Sequence, residues 1–397
     1  MGFKKRKKVS FIFGTRPEAI KLAPIIMAMR DANKITHNVA VTGQHRDMLG
    51  QALKIFRITP HLDMNLMEEN QSPVEFVGKS IHRIHSYLSS FEPDLVVVQG
   101  DTGTTFCASL AAFYCKIPIA YVESGLRTGD KYSPYPEEVN RILTSHLADI
   151  HFAPTKTAME RLVAEGIPAD KISVTGNTVL DALKFIQEEK LTKPFDIRRI
   201  PVFKKEMVLI TAHRRENFGV GLEHICKAIK NLAHNFPEVD FVYPVHLNPN
   251  VLGTVNSILK KSARMTVAKN VHLLPPIDYV KFIYLMEKAS LILTDSGGMQ
   301  EEATALGKPL LIMRDNTERS EVIEFNLGKL IGTNTRNIVD NVSAVLDNKL
   351  QFSKCEECFG DGKAALKILT IITNFFQDKR TNDDCKLAEE RTAPAVL

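Results

Sequence analysis

A chain of 397 residues, 44% hydrophobic and 24% charged, has the composition of a water-soluble globular protein and the length of two to three domains. The net charge of +5 rests on one run, Lys4-Lys5-Arg6-Lys7-Lys8; without it basic and acidic residues balance at 46 each, which argues against a nucleic-acid-binding surface. Val9-Ser10-Phe11-Ile12-Phe13 is too short for a signal-peptide core, and the longest apolar stretch, Phe106 to Cys115, is about half a membrane span, so a cytoplasmic protein is expected.

From the N-terminus, short β-branched runs alternate with amphipathic stretches. The runs predict strands at 9–13, 38–42, 95–99, 118–122, 149–153 and 171–175, then at 207–212, 240–245, 271–274, 290–294, 309–313 and 329–332. Apolar strands separated by helices indicate parallel sheets covered on both faces. Six units per half is the size of one doubly wound domain. The expected division is a Rossmann-like domain over 1–186, a Glu/Lys/Arg-rich linker with Pro194 and Pro201 over 187–205, and a second Rossmann-like, nucleotide-binding domain over 206–362. A last helix from 363 is expected to cross back to the first domain, with a frayed tail to 397.

Polar residues follow these strands repeatedly. They are Gly14-Thr15-Arg16-Pro17-Glu18 with Lys21, Gln44-His45-Arg46, Gly100-Asp101-Thr102, Glu123, His213-Arg214-Arg215-Glu216-Asn217, His246-Leu247-Asn248, Asp295-Ser296-Gly297-Gly298 and Arg314-Asp315. Open parallel sheets bind their ligands at that edge. Gly14-Thr15-Arg16-Pro17 reads either as an anion site at a helix N-terminus or as a well-capped helix. Ser296-Gly297-Gly298 opens a helix with bare backbone for a diphosphate, and Glu302, one turn on, can accept from sugar hydroxyls. His213 beside Arg214 and Arg215 points to a phosphate environment that would hold it cationic. Glu123-Ser124-Gly125-Leu126-Arg127 and Pro136-Glu137-Glu138-Val139-Asn140-Arg141 place carboxylates and arginines around one loop, suited to proton transfer.

Several chemistries lack their signature. The strand-linked Gly-x-Gly-x-x-Gly, the Walker loop, the nucleophile elbow and metal triads are missing; Gly360-Asp361-Gly362 reads as a turn opening the last helix. No cofactor and no metal are expected. Cys355 and Cys358 form a lone C-x-x-C without the second pair of a zinc site, and read as surface thiols.

On these segments the chain closely resembles the non-hydrolysing UDP-N-acetylglucosamine 2-epimerases of the GT-B fold. The likeness runs from Phe13-Gly14-Thr15-Arg16-Pro17-Glu18-Ala19-Ile20-Lys21 through the Glu123 and Glu137 segments, Gly176-Asn177-Thr178, His213-Arg214-Arg215-Glu216-Asn217 and Pro244-Val245-His246-Leu247-Asn248-Pro249-Asn250 to Thr317-Glu318-Arg319. It implies reversible inversion at C2 between UDP-GlcNAc and UDP-ManNAc, supplying ManNAc for surface polysaccharide. Elimination of UDP to a 2-acetamidoglucal and re-addition would make C2 labile without a nicotinamide.

By the same resemblance Asp101, Glu123 and Glu137 match carboxylates of proton transfer and His213 the catalytic histidine. Arg16, Lys21, Phe282, Ser296, Gly297, Gly298, Glu302 and Arg319 match nucleotide-sugar contacts. Gln44, Glu137, Arg214 and His246 match a second UDP-GlcNAc site that activates bacterial members, and a homodimer is implied. Asn70 and Asp47 depart from the activator pattern. Competing readings are a GT-B glycosyltransferase, a hydrolysing epimerase releasing ManNAc and UDP, and a silent nucleotide-sugar sensor.

Overall fold

The computed structural model describes residues 6–377 apart from 33–34, 44–45, 69–70, 193–205, 263–264 and 356–357. Most of the expected linker, the tail beyond 377, Gln44 and Asn70 therefore lie outside the described residues. The first sheet is built from β1 (Lys8–Phe13), β2 (Thr36–Val41), β3 (Leu62–Asp63), β4 (Leu95–Gln99), β5 (Ile119–Val122), β6 (Ile150–Ala153) and β7 (Ile172–Val174), in the order β3-β2-β1-β4-β5-β6-β7. In the second half come β8 (Glu206–Thr211), β9 (Val239–Pro244), an antiparallel hairpin of β10 (Lys260–Ser262) and β11 (Met265–Thr266), then β12 (Val271–Leu274), β13 (Leu291–Thr294), β14 (Leu310–Ile312) and β15 (Gly328–Leu330). All but the hairpin form a six-stranded sheet in the order β12-β9-β8-β13-β14-β15.

Every pairing within the two large sheets is parallel. The molecule is thus α/β with two Rossmann-like doubly wound sheets, as the strand spacing predicts. All the expected strands are present within a residue or two. β3 and the hairpin were not expected, because two- and three-residue strands leave no period to read.

The strands are apolar throughout because helices cover both faces. In β1, Val9, Phe11 and Phe13 enter one core while Ile12 points to another. In β8, Leu209 faces the first of these cores, and Val208 and Ile210 face a third. One core is therefore shared: the inner faces of both sheets, with helices Arg16–Ala32, Thr178–Glu188, Tyr279–Lys288 and Gly298–Ala305, form a continuous apolar cluster. Residues 364–377 are helical and add Ala365, Ile368, Ile372 and Phe376 to it. Asp181, in the helix Thr178–Glu188, caps that last helix by accepting from the Ala364 and Ala365 amides at 3.2 and 2.9 Å. Among the described residues no helix is long and apolar enough to cross a membrane.

One sequence reading is corrected and another gains a structural role. Cys355 and Cys358 are joined in a disulfide, with their Cα atoms 5.6 Å apart, within bridging range, which composition does not reveal. The basic run is partly structural: Lys7 pairs with Asp94 at 2.9 Å, and Lys8 donates to the Phe91 carbonyl at 2.6 Å.

The segment entering the last helix crosses the loop after β7 at two glycines. Gly176 (φ 88°) and Gly360 (φ 116°) meet backbone to backbone, and a Cβ on Gly176 would stand 2.9 Å from the Gly360 Cα. Both the left-handed conformation and the contact exclude a side chain. Gly176→Ala is expected to cost roughly 2–4 kcal/mol, read as a lowered urea midpoint; an unchanged midpoint would contradict this packing.

Candidate active site

The strand order reverses direction at β1/β4 in one sheet and at β8/β13 in the other. Loops after these strands diverge and leave a crevice at the carboxyl edge. The two crevices face each other across a cleft of about 3000 Å³. Into it come Arg16, Lys21, Asp101, Glu123 and Glu137 from the first half, and His213, Arg214, His246, Phe282, Ser296, Gly298, Glu302 and Arg319 from the second. Gly297 lies just behind this wall: a Cβ there would press on Glu318, Arg319 and Arg214 side-chain atoms. Gly298 has open space beside it, so the backbone at that helix start is bare on the cleft side. Gln44 lies outside the described residues.

A buried tyrosine braces each crevice in the same way. The Tyr121 hydroxyl donates to the Gly100 carbonyl at 2.8 Å, just before Asp101. Tyr243 donates to the Ala212 carbonyl at 2.6 Å, just before His213. Burial holds both hydroxyls far from ionisation, so each keeps the proton it donates.

The first turn resolves to the capped-helix reading. The Gly14 and Thr15 amides donate to Glu18 Oε2 at 3.1 and 2.8 Å, and the Thr15, Thr102 and Thr105 hydroxyls donate to the same carboxylate. Those amides are occupied by the protein's own acid and are not free for a phosphate. Burial raises the Glu18 pKa against these hydrogen bonds.

Glu123 closes β5 with a positive φ of 63° and is 8% exposed. Lys21 and Gln99 donate to it, as does Asn177 Nδ2 at 2.9 Å, while Arg319 Nη2 lies at 3.5 Å. Burial alone would raise its pKa, but Lys21 and Arg319 outweigh that and hold the carboxylate ionised, below its ordinary value. Glu301 is fully buried beside the same cations, with Arg319 Nε at 2.9 Å and Lys21 Nζ at 3.6 Å. Burial, reinforced by Glu123, pushes Glu301 upward.

Asp101 is gripped by Arg141 through Nε at 2.9 Å and Nη2 at 2.5 Å. Arg141 also pairs with Glu138 at 3.0 Å and reaches Glu318 of the second half at 3.6 Å. Glu318 in turn takes Arg319 at 2.6 Å and Arg314 at 2.9 Å. Four arginines (319, 141, 314 and 214) hold Glu318 well below the usual carboxylate range despite its burial. Glu137 differs. Its Oε2 is buried without a hydrogen-bond partner, and burial together with the charge on Asp101 raises its pKa, opposed by Arg214 and Arg141.

The surroundings of His213 oppose a proton on its ring in this structure. Its ring stacks on His246 with centroids 5.5 Å apart, and Asp295 Oδ1 stands 3.6 Å from Nδ1. Partial desolvation, with the side chain still 39% exposed, lowers its pKa, and Arg214, His246 and Arg16 add to this, outweighing Asp295. Arg214, read as part of a phosphate environment, thus repels the proton. The other oxygen of Asp295 accepts from the His213 and Arg214 amides, both at 2.8 Å, and from Asn217 at 3.1 Å. Asp295 thus sets the histidine loop.

Glu302 accepts from the Tyr279 hydroxyl at 2.6 Å, and burial pushes its pKa up to about 7. Arg319 spends Nε, Nη1 and Nη2 on Glu301, Glu318 and Glu123, so it is first a partner of acids. Asn177, Glu301, Glu318 and Asp295 were not assigned roles from sequence. Asp295 had a signal, since it ends a switch-point strand; the others are defined by partners far along the chain.

The sequence model of the UDP-N-acetylglucosamine 2-epimerase family matches residues 27–373. A probable UDP-N-acetylglucosamine 2-epimerase of Ralstonia solanacearum is 47% identical over 93% of this chain and all of its own length. The crystal structure of UDP-GlcNAc 2-epimerase from Neisseria meningitidis bound to UDP-GlcNAc superposes with a TM-score of 0.88 at 44% identity, over 92% of this chain and all of that one. The Methanocaldococcus jannaschii enzyme in complex with UDP-GlcNAc and UDP gives 0.80 at 34% identity, over 92% and 99%. Fold, cleft and sequence agree: the chain belongs to the UDP-N-acetylglucosamine 2-epimerase family.

Proposed function

We propose that this protein interconverts UDP-GlcNAc and UDP-ManNAc without hydrolysis, through elimination and re-addition of UDP. A base removes the C2 proton, the electron pair becomes the C1=C2 bond of 2-acetamidoglucal, and the C1–O bond breaks with its pair leaving on UDP. The reverse step delivers a proton to the other face of C2 as UDP oxygen attacks C1. The cycle needs one carboxylate that is charged and another that carries a proton, on opposite faces.

The observation that carries this reading is the split between two cleft carboxylates. Glu123 is held ionised by Lys21 and Arg319, while Glu137 is pushed towards its protonated form by burial and Asp101. Environments that drive two acids apart in this way mark an acid/base pair. In the GlcNAc-to-ManNAc direction Glu123 is the base and Glu137 the acid. Asp101, fixed by Arg141, adds its charge to the burial that raises the Glu137 pKa.

The leaving diphosphate needs positive charge as the C1–O bond breaks. Arg16, Arg214 and the bare backbone at Gly298 line the same cleft and can supply it. The negative charge of the diphosphate favours the protonated form of His213, which stabilises the departing UDP. The neighbouring Neisseria structure holds UDP-GlcNAc, which supports this class of ligand here. Glu137, Arg214 and His246 border the catalytic cleft directly, so a second nucleotide sugar acting as activator would touch the catalytic acid itself.

Incubation with UDP-GlcNAc in D2O, followed by proton NMR, tests the chemistry. UDP-ManNAc with deuterium at C2 and little free UDP is expected; ManNAc with stoichiometric UDP would mean hydrolysis. In the same assay Glu123→Gln is expected to lower C2 exchange at least about 100-fold while UDP still binds, as loss of a general base does. Retained exchange would remove Glu123 from the reaction.

A further inference from the structure

Gly176-Asn177-Thr178 and the first acid of Gln300-Glu301-Glu302 have no part in the chemistry above, yet Asn177 touches its base and Glu301 shares that base's cations. Asn177 is 2% exposed and Glu301 0%. Both N–H bonds of the Asn177 amide are spent: Nδ2 donates to Glu123 Oε1 at 2.9 Å and to Glu301 Oε1 at 2.8 Å. Its Oδ1 accepts from the Val179 amide at 3.0 Å, and its backbone N–H donates to the Phe359 carbonyl at 2.6 Å. Turned over, the side chain would aim oxygen at two carboxylates and NH2 at an N–H. Only one orientation satisfies every partner.

Glu301 and Glu123 share the same two cations. Arg319 reaches Glu301 at 2.9 Å and Glu123 at 3.5 Å; Lys21 pairs with Glu123 and stands 3.6 Å from Glu301. Glu301 Oε2 is buried with no hydrogen bond and faces the Lys21 ammonium at 3.6 Å, so this acid competes with Glu123 for the lysine through charge alone. Gln99 donates to the other oxygen of Glu123, Tyr121 lies on the same strand, and Glu302 faces Lys21 from beside Glu301.

We propose that Asn177 and Glu301 are positioning residues for proton transfer, fixing where Glu123 points and how much of the Lys21 and Arg319 charge it receives. This rests on Glu123 being the base. The two residues act in opposite senses. Loss of the Glu301 charge would leave both cations to Glu123 alone and make it a weaker base. Loss of the Asn177 amide would strip a donor from Glu123 and from the gap between two acids, so Glu123 would bind its proton more tightly.

The test is the pH profile of kcat/KM for Asn177→Ala, Asn177→Asp and Glu301→Gln, with thermal melting and UDP binding measured alongside. Asn177→Ala is expected to move the acidic limb up by about one pH unit. Glu301→Gln is expected to leave the limb no higher than wild type and to lower kcat about tenfold at unchanged KM, as a weaker base would. Asn177→Asp, the same shape with a third carboxylate, is expected to be less active than Asn177→Ala. A helix-capping role alone predicts the reverse order, because aspartate caps as well as asparagine and alanine does not. An unmoved limb in Asn177→Ala, a limb raised in Glu301→Gln, or an Asn177→Asp variant more active than Asn177→Ala would overturn the inference. Should both Asn177 variants fail to fold, kcat of Glu301→Gln decides alone, and an unchanged value overturns it. C2 exchange lost in Glu123→Gln but limbs fixed in these variants would sink only this inference; exchange retained in Glu123→Gln would sink the underlying reading.

Discussion

Burying several ionised groups together constrains everything else in this structure. From Lys21 the ion pairs run through Glu123, Glu301 and Arg319 to Glu318, then to Arg314 on one side and Arg141 with Asp101 and Glu138 on the other. Each charge taken from water costs several kcal/mol unless its partners are well placed. Removing one member leaves another buried and unpaired, which is worse than never having had the pair. A lattice of this kind is poor evidence for stability and strong evidence for a geometry held for another purpose. That purpose is a set of charges fixed in place before substrate arrives.

The lattice also ties the two sheets to each other. Lys21, Glu123, Asn177 and Arg141 come from the first half; Glu301, Glu318 and Arg319 come from the second. Around it, Thr155 donates to Glu321, and Arg161 reaches the Glu318 carbonyl and Ser320 hydroxyl, both at 3.0 Å. Beneath it runs the shared apolar core, closed by the last helix returning to Asp181. The crossing of Gly176 and Gly360 brings that returning segment against Asn177, so the chain's end helps to set the orientation of an amide at the base. Sheet order supplies the cleft, and the charge lattice makes its two walls one site.

What was legible in the sequence was whatever is local. Strands such as Leu95–Gln99 are runs of buried apolar residues, and polar residues after them mark the carboxyl edge. The cleft residues from Arg16 to Arg319 were found this way and by resemblance. What was not legible depends on partners. Asn177 and Glu301 are 124 positions apart, and nothing near either one signals the hydrogen bond between them. Glu18 fell at a helix start where a phosphate or the protein's own carboxylate could take the amides, and only the fold shows the carboxylate there. For His213 the sequence shows the neighbouring Arg214 but not His246 or Arg16, which the fold brings close enough to oppose its proton. Cys355 and Cys358 carry no mark of their covalent state.

The central claim is that the cleft drives two carboxylates apart, one below its ordinary pKa and the other above it. Carbon-13 NMR of protein labelled at the glutamate side-chain carboxyls, with the two signals assigned by their loss in Glu123→Gln and Glu137→Gln, reads both directly. The account predicts that Glu123 titrates below the ordinary glutamate value and Glu137 above it. Titration of both at the same pH, or of Glu137 below Glu123, would contradict it.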